Sequence, residues 1–110
     1  MEVAVDGDLD DLSPTVAAAL QRIAQEAVAN ALKHARPSRI DLSLVQQNGH
    51  TVLTVKDDGA GFSADGTFMV ARGHFGLLGM RERARALGGE LSVQSALGSG
   101  TVVEARVPRP

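Results

Sequence analysis

The 110-residue chain contains no cysteine, tryptophan or tyrosine, and aromatic residues make up only 3% of it. Without cysteine it cannot form a disulfide scaffold, a thiolate metal site or a cysteine nucleophile. No apolar run approaches the roughly 20 residues that span a bilayer, and no signal peptide opens the chain, so we expect a cytoplasmic protein. The net charge of −2, together with the scarcity of aromatic side chains, disfavours a nucleic-acid binder.

The composition that remains, 44% apolar and 22% charged residues, is that of one globular domain. Apolar periodicity, capping residues and turn signals predict strands and helices in this order: a short edge strand in Met1–Asp6, a helix from Ser13-Pro14 to Pro37, strands at Ile40–Leu44 and Thr51–Asp57 around an Asn48-Gly49 turn, a helix ending at Gly88-Gly89, and strands at Leu91–Gln94 and Thr101–Val107. This order lacks regular βα alternation. It predicts an α+β fold, a two-layer sandwich with helices on one face of a sheet.

Polar residues form a stripe along one side of the first predicted helix. Glu26, Asn30 and Lys33 lie at i, i+4 and i+7, and His34 borders them. On helix statistics alone this is a solvated face with an ion pair. The alternative is a face that binds magnesium and phosphate, because Asn supplies a neutral oxygen ligand, Glu a carboxylate and Lys a positive charge.

An acidic residue ends the third predicted strand. Alternation places Asp57 on the same face as Leu53 and Val55, directly before Asp58-Gly59-Ala60-Gly61. A buried carboxylate needs hydrogen-bond donors, and the exocyclic amine of a purine would serve, with the glycines letting a flat base approach the backbone. The alternative is an ordinary Asp-rich turn.

Other glycine patterns are ambiguous. The chain has no Walker-type phosphate loop, and the dinucleotide-like run Gly59–Ala64 is not followed by a helix, which disfavours a Rossmann site. Residues Ser63–Phe75 lack periodicity and are predicted to form a mobile loop. Glycines in Gly73–Gly79 would suit either phosphate binding or lid flexibility, and Gly98-Ser99-Gly100-Thr101 fits a hairpin turn.

These patterns occur in the order found in one known family. Gln25–Ala35 resembles the N box, Asp57–Phe62 the first glycine box, Gly73–Arg83 the second and Gly98–Thr101 the third box of the ATP-binding catalytic domain of two-component sensor histidine kinases, in the GHKL ATPase superfamily. The sequences of the N box and the second glycine box are most similar to those of the nitrate-sensor and desaturase-thermosensor kinase group. The resemblance implies a mixed, mostly antiparallel sheet covered on one face by helices.

The resemblance also implies ATP and Mg²⁺ as ligands and a role for each motif residue. Asn30 would ligate the metal, Glu26 would orient or polarise a water or acceptor group, and Lys33 and His34 would face phosphate or ribose. The remaining residues would hold the nucleotide: Asp57 at the adenine amine with a hydrogen bond from Thr101 behind it, Gly59 and Gly61 beneath the base, and Gly73, Gly76, Leu77 and Gly79 at the phosphates.

The expected partners follow from the same resemblance. The γ-phosphate would pass to a histidine on the dimerisation domain of the parent kinase, with a response regulator downstream. The fragment would be monomeric and the parent a homodimer. No phospho-accepting histidine segment and no clear phenylalanine box are present in the chain. The alternatives are a serine kinase of the anti-sigma-factor type and a non-catalytic interaction module of the same fold.

Overall fold

The computed structural model describes residues 2–6, 12–35, 37–60, 75–96 and 98–108. The elements occur in the predicted order: β1 (Glu2–Asp6), α1 (Pro14–Asn30), a π-helical turn (Ala31–Ala35), β2 (Ile40–Gln47), β3 (His50–Asp57), α2 (Phe75–Ala86), β4 (Glu90–Ser95) and β5 (Thr101–Pro108). None of the helices in these ranges is both long and apolar enough to cross a membrane.

Helix α1 begins where the sequence predicts. The side chain of Ser13 accepts a hydrogen bond from the backbone N–H of Val16 at 3.1 Å, and Pro14 occupies the first turn. The predicted continuous helix is wrong beyond Asn30, because the backbone widens into the π-helical turn Ala31–Ala35. A π turn adds a residue to each hydrogen-bonded ring. Lys33 is therefore displaced from the straight stripe expected on a 3.6-residue helix.

The five strands form one sheet in the order β1-β2-β3-β5-β4. Strand β1 runs parallel to β2, and the other neighbouring pairs are antiparallel. Strands β2 and β3 are joined at Asn48 and Gly49, whose φ angles of 53° and 78° are typical of a tight hairpin turn. The mixed, mostly antiparallel sheet is thus confirmed.

The core lies between the helices and one face of the sheet. Helix α1 contributes Leu20, Ile23 and Ala27, helix α2 contributes Met80 and Ala84, and the strands contribute alternate residues that include Ile40, Leu53, Val55, Leu91, Val103, Ala105 and Val107. The ladder on the opposite face carries mainly polar and charged residues, among them Asp41, Lys56, Glu104 and Arg106. The helices therefore cover one face, as the pattern predicts.

Candidate functional site

Asp57 is the last residue of β3 and belongs to the helix-covered face. It lies opposite Ile40 of β2 and Thr101 of β5, and only 7% of its surface is exposed. Its Oδ1 accepts a hydrogen bond from the backbone N–H of Gly59 at 2.8 Å, which closes a local turn. A carboxylate can accept about four hydrogen bonds, so Asp57 retains acceptor capacity for a ligand.

The pKa of Asp57 is raised above its ordinary value. Burial is the largest cause, because it disfavours the charged carboxylate, and the negative charge of Asp58 acts in the same direction. The hydrogen bond from Gly59 opposes both effects. A buried acid with a raised pKa and spare acceptor capacity is typical of a ligand-binding position.

The turn before β5 is packed against Asp57. The N–H of Gly98 donates to the carbonyl of Ala60 at 2.6 Å, and Gly100 adopts φ +77° so close to Asp57 that a Cβ would overlap the Asp57 carbonyl oxygen. Only glycine fits this approach without strain. The first and third glycine-containing motifs therefore form one structural unit around the carboxylate.

We predict that Gly100→Ala lowers the free energy of unfolding by about 2 kcal/mol. The left-handed φ would strain an alanine backbone, and the added Cβ would overlap the Asp57 carbonyl oxygen. Gly98→Ala is the matched control. Gly98 has φ +81° and open space around its Cβ position, so it should cost only the strain of about 1 kcal/mol. Urea denaturation of both variants measures the difference. Equal losses would contradict the contact between Gly100 and Asp57.

Asp58 anchors the connection that leads from α1 into β2. Its Oδ1 accepts hydrogen bonds from the backbone N–H groups of Ser38 and Arg39, both at 2.8 Å, and its own N–H donates to the Arg39 carbonyl at 3.2 Å. No role for Asp58 was expected from the sequence. An Asp followed by Gly at a strand end is a signal for side-chain to backbone bonding, but it does not specify the distant partner.

Helix α1 carries the second polar group of the site. Asn30 is the last residue of the α-helical segment, and in the part of the chain that the structure describes its Nδ2 is the buried side-chain polar atom without a hydrogen-bond partner. A buried amide left unpaired costs about 1–3 kcal/mol, which a ligand could recover. One turn earlier, Glu26 lies on the same side of α1 and its side chain is 26% exposed.

The path of the chain links Asn30, at the end of α1, to Asp57, at the end of β3. The chain leaves α1 through the π-helical turn and enters β2 at Ile40, the direct neighbour of Asp57 in the sheet. Asp58 closes this connection through its bonds to Ser38 and Arg39. The end of α1 that holds Asn30 is therefore tied to the end of β3 that holds Asp57, on the helix-covered face.

The hydrogen-bond partner of Thr101 differs from the one expected. Its hydroxyl lies 2.8 Å from Oγ of Ser95, whereas Asp57 Oδ1 takes its hydrogen bond from Gly59. Among the described residues, no hydrogen bond joins Thr101 to Asp57. Thr101 has Asp57 on one side and Ser95 on the other in the sheet, and the short serine hydroxyl is the partner it contacts.

The second helix contributes an arginine for which no contact was expected from the sequence. Arg83 is only partly exposed, and its Nη1 lies 3.9 Å from Oε1 of Glu26. Arg22 contacts the same oxygen from α1 through Nε at 3.3 Å. Among the described residues, Glu26 thus forms ion pairs with arginines of two helices. Lys33 is exposed on the π-helical turn.

Several predicted site residues lie outside the described residues. They are Gly61, Gly73 and almost all of the predicted loop Ser63–Phe75, together with the side chains of His34 and Leu77 and the surroundings of Gly76. Their assignments remain predictions. Gly59, Gly79 and Thr101 lie in described elements or turns next to the residues above.

Comparison with known proteins identifies this arrangement. Residues 15–110 match the family described as histidine kinase-, DNA gyrase B-, and HSP90-like ATPase. The chain is 38% identical over 104 residues to the signal transduction histidine-protein kinase/phosphatase DegS of Bacillus subtilis, covering 93% of this chain and 27% of DegS. It is 37% identical over 106 residues to the Bacillus subtilis sensor histidine kinase LiaS, covering 94% of this chain and 29% of LiaS.

A solved structure agrees with these relatives. The histidine kinase domain of the blue-light activated histidine kinase from Erythrobacter litoralis EL346 superposes with a TM-score of 0.78 at 30% identity, covering 98% of this chain and 54% of that one. The fold and the family match thus define an ATPase domain of the histidine-kinase type. The chain belongs to the histidine kinase-, DNA gyrase B-, and HSP90-like ATPase family, and it spans less than a third of the length of DegS and LiaS.

Proposed function

We propose that the chain is the single catalytic domain of a longer sensor histidine kinase, which binds ATP with Mg²⁺ and donates the γ-phosphate to a histidine of the dimerisation domain. The observation that carries this proposal is the buried Asp57 carboxylate, which has one backbone donor and lies at the end of the sheet to which the Asn30 end of α1 is tied. The sensor-kinase relatives support the reaction type.

Asp57 would select adenine. The N6 amine of adenine donates to a carboxylate, whereas guanine would present a carbonyl oxygen to the same negative charge. That mismatch leaves a buried charge unpaired and disfavours guanine. Gly59 donates its N–H to Asp57 Oδ1. Its lack of a side chain would let the base plane approach the backbone, and Gly61 would continue this surface.

The C-terminal part of α1 would hold the triphosphate. Magnesium binds oxygen ligands and usually combines one or two protein groups with substrate phosphates. The amide of Asn30 suits this role, because its oxygen is a neutral ligand. Its buried Nδ2, which has no hydrogen-bond partner among the described residues, would donate to a phosphate oxygen. When bound, the metal would neutralise phosphate charge. Lys33 and His34 would add donors, while Gly73, Gly76, Leu77 and Gly79 would line the phosphate end.

Transfer requires positioning more than covalent chemistry from the protein. A neutral imidazole nitrogen of the acceptor would attack the γ-phosphorus with its lone pair. The bond from phosphorus to the β–γ bridging oxygen breaks, and ADP leaves with that electron pair. The proton on the other imidazole nitrogen would pass to the Glu26 carboxylate, directly or through a water. Glu26 would thereby orient the acceptor and remove its proton.

The wider setting of this function is also part of the proposal. The parent kinase would be a homodimer that passes its phosphate to a response regulator, and the domain would act in the cytoplasm, where ATP is available. The domain alone would be a monomer that binds ATP and turns it over slowly or not at all. Thr101 would line the pocket beside Asp57.

Phosphoryl transfer tests the proposal. The chain is incubated with γ-labelled ATP, Mg²⁺ and a separately purified histidine-containing dimerisation domain from a sensor kinase. We expect label on the acceptor that is lost in acid and retained in base, as phosphohistidine is. Acid-stable label would instead identify a hydroxyl acceptor, as in a serine kinase. ATP binding without transfer to any acceptor would favour a non-catalytic module.

A further inference from the structure

Glu26 is held between cationic side chains of two different helices. Arg22, one turn earlier on α1, approaches Oε1 with its Nε at 3.3 Å. Arg83 of α2 approaches the same oxygen with its Nη1 at 3.9 Å. Helices α1 and α2 pack against each other on the same face of the sheet. A residue of the second helix therefore lies within ion-pair distance of the Glu26 carboxylate.

The guanidinium of Arg83 reaches Glu26 by lying over Gly79. Helical side chains lean towards the N-terminus, so a long side chain covers the residue one turn earlier. A Cβ on Gly79 would come within 3.2 Å of Arg83 Nη1, which is tighter than ordinary carbon contact. The last glycine of the Gly73–Gly79 series thus leaves space for the end of the Arg83 side chain, a role separate from contact with phosphate.

The pair is more important for orientation than for stability. The side chains of Arg83 and Glu26 are 37% and 26% exposed, and ion pairs in contact with water contribute little to folding. A guanidinium presents several donors in a fixed plane, so it can restrict the direction of a carboxylate. Because Glu26 must face the acceptor to act on its proton, a restricted carboxylate speeds transfer without changing ATP binding.

We propose that Arg83 is a positioning residue for Glu26 and that Gly79 keeps its path open, so that α2 controls the orientation of the carboxylate on α1. This inference rests on the proposed kinase function. It assigns Arg83 no contact with nucleotide or acceptor. Arg83 acts only through Glu26.

The test compares Arg83→Ala, Arg83→Lys and Gly79→Ala in the transfer assay described above. Arg83→Ala should lower the rate at saturating ATP by about three- to fivefold, the effect expected from a partly exposed ion pair, with the KM for ATP unchanged. Arg83→Lys should recover part of the rate. Gly79→Ala should lower the rate, and adding Arg83→Ala to Gly79→Ala should cost less than the roughly three- to fivefold that Arg83→Ala costs alone, because any effect of Gly79→Ala on the phosphate end is common to both of these variants.

The control is Arg85→Ala, which removes an exposed arginine two residues along the same helix and should leave the rate unchanged. A raised KM with an unchanged maximal rate in Arg83→Ala would overturn the proposal, because Arg83 would then bind nucleotide. An unchanged rate, or equal losses in Arg85→Ala, would overturn it as well.

A second measurement separates this inference from the proposed function. The ¹³Cδ resonance of Glu26 should shift in Arg83→Ala and Gly79→Ala but not in Arg85→Ala. If these shifts occur while the unmodified chain transfers no phosphate to any acceptor, the coupling is present and the kinase function is wrong. If transfer occurs but the resonance is unmoved in Arg83→Ala, the positioning role is wrong.

Discussion

Asp57→Asn is expected to lower the affinity for ATP by about 1–3 kcal/mol, the usual loss when a hydrogen bond to a charged group is removed. The asparagine retains an oxygen that can accept the N–H of Gly59, but its other terminal atom is a donor and faces the adenine amine unfavourably. Calorimetric titration with ATP and Mg²⁺ measures the loss. Wild-type affinity in this variant would show that Asp57 does not read adenine.

Asp41→Asn is the matched control for this substitution. It removes the same charge from the opposite face of the sheet, where Asp41 pairs with the exposed Arg39. A general effect of net charge on binding an anionic nucleotide would appear in both variants. We expect ATP affinity to change only in Asp57→Asn.

The stability of Asp57→Asn should move in the opposite direction from its affinity. Burial raises the pKa of Asp57, so at neutral pH the folded protein carries the cost of a buried charge that asparagine lacks. The variant should therefore unfold at equal or higher urea concentration at pH 7. As the pH falls through the raised pKa of the folded protein to below 3.8, Asp57 becomes protonated, and the difference between variant and wild type should disappear.

Asn30→Ala is expected to weaken ATP binding in the presence of Mg²⁺ by about 2 kcal/mol or more, since a ligand to a cation contributes at least as much as a charge-assisted hydrogen bond. Binding in EDTA should change much less. Calorimetry with and without Mg²⁺ separates the two. Equal losses under both conditions would contradict a metal-binding role for Asn30.

The same variant should be more stable than the wild type. Alanine removes the unpaired buried Nδ2 and has the higher helix propensity, so the free energy of unfolding should rise by about 1 kcal/mol. Gln21→Ala, an exposed amide on α1, is the control and should affect neither binding nor stability appreciably. Opposite effects on stability and binding are typical of residues kept for function.

The fold was largely predictable because its local signals agree. Ser13 and Pro14 start α1, Asn48-Gly49 fixes the β2–β3 turn, and alternation along β3 places Asp57 on the helix-covered face. The π-helical turn was not predictable. Alanines at 27, 31 and 35 recur every four residues, and this pattern does not show where an α-helix widens.

The candidate site was predicted less completely because its contacts are non-local. Arg83 reaches Glu26 only through the packing of α2 on α1, which periodicity does not specify. Thr101 has a possible partner on each neighbouring strand, so sequence alone could not choose Ser95 over Asp57. The unpaired amide of Asn30 also becomes visible only once its surroundings are known.

The central claim is that one nucleotide contacts Asn30 and Asp57 together. NMR titration of the ¹⁵N-labelled chain tests it directly, with the side-chain amide of Asn30 reporting on the phosphate end and the backbone amide of Gly59 on the adenine end. With ATP and Mg²⁺, both signals should shift with the same dissociation constant, and adenosine alone should shift only Gly59. Different dissociation constants, or a response of only one signal to ATP and Mg²⁺, would contradict a shared site.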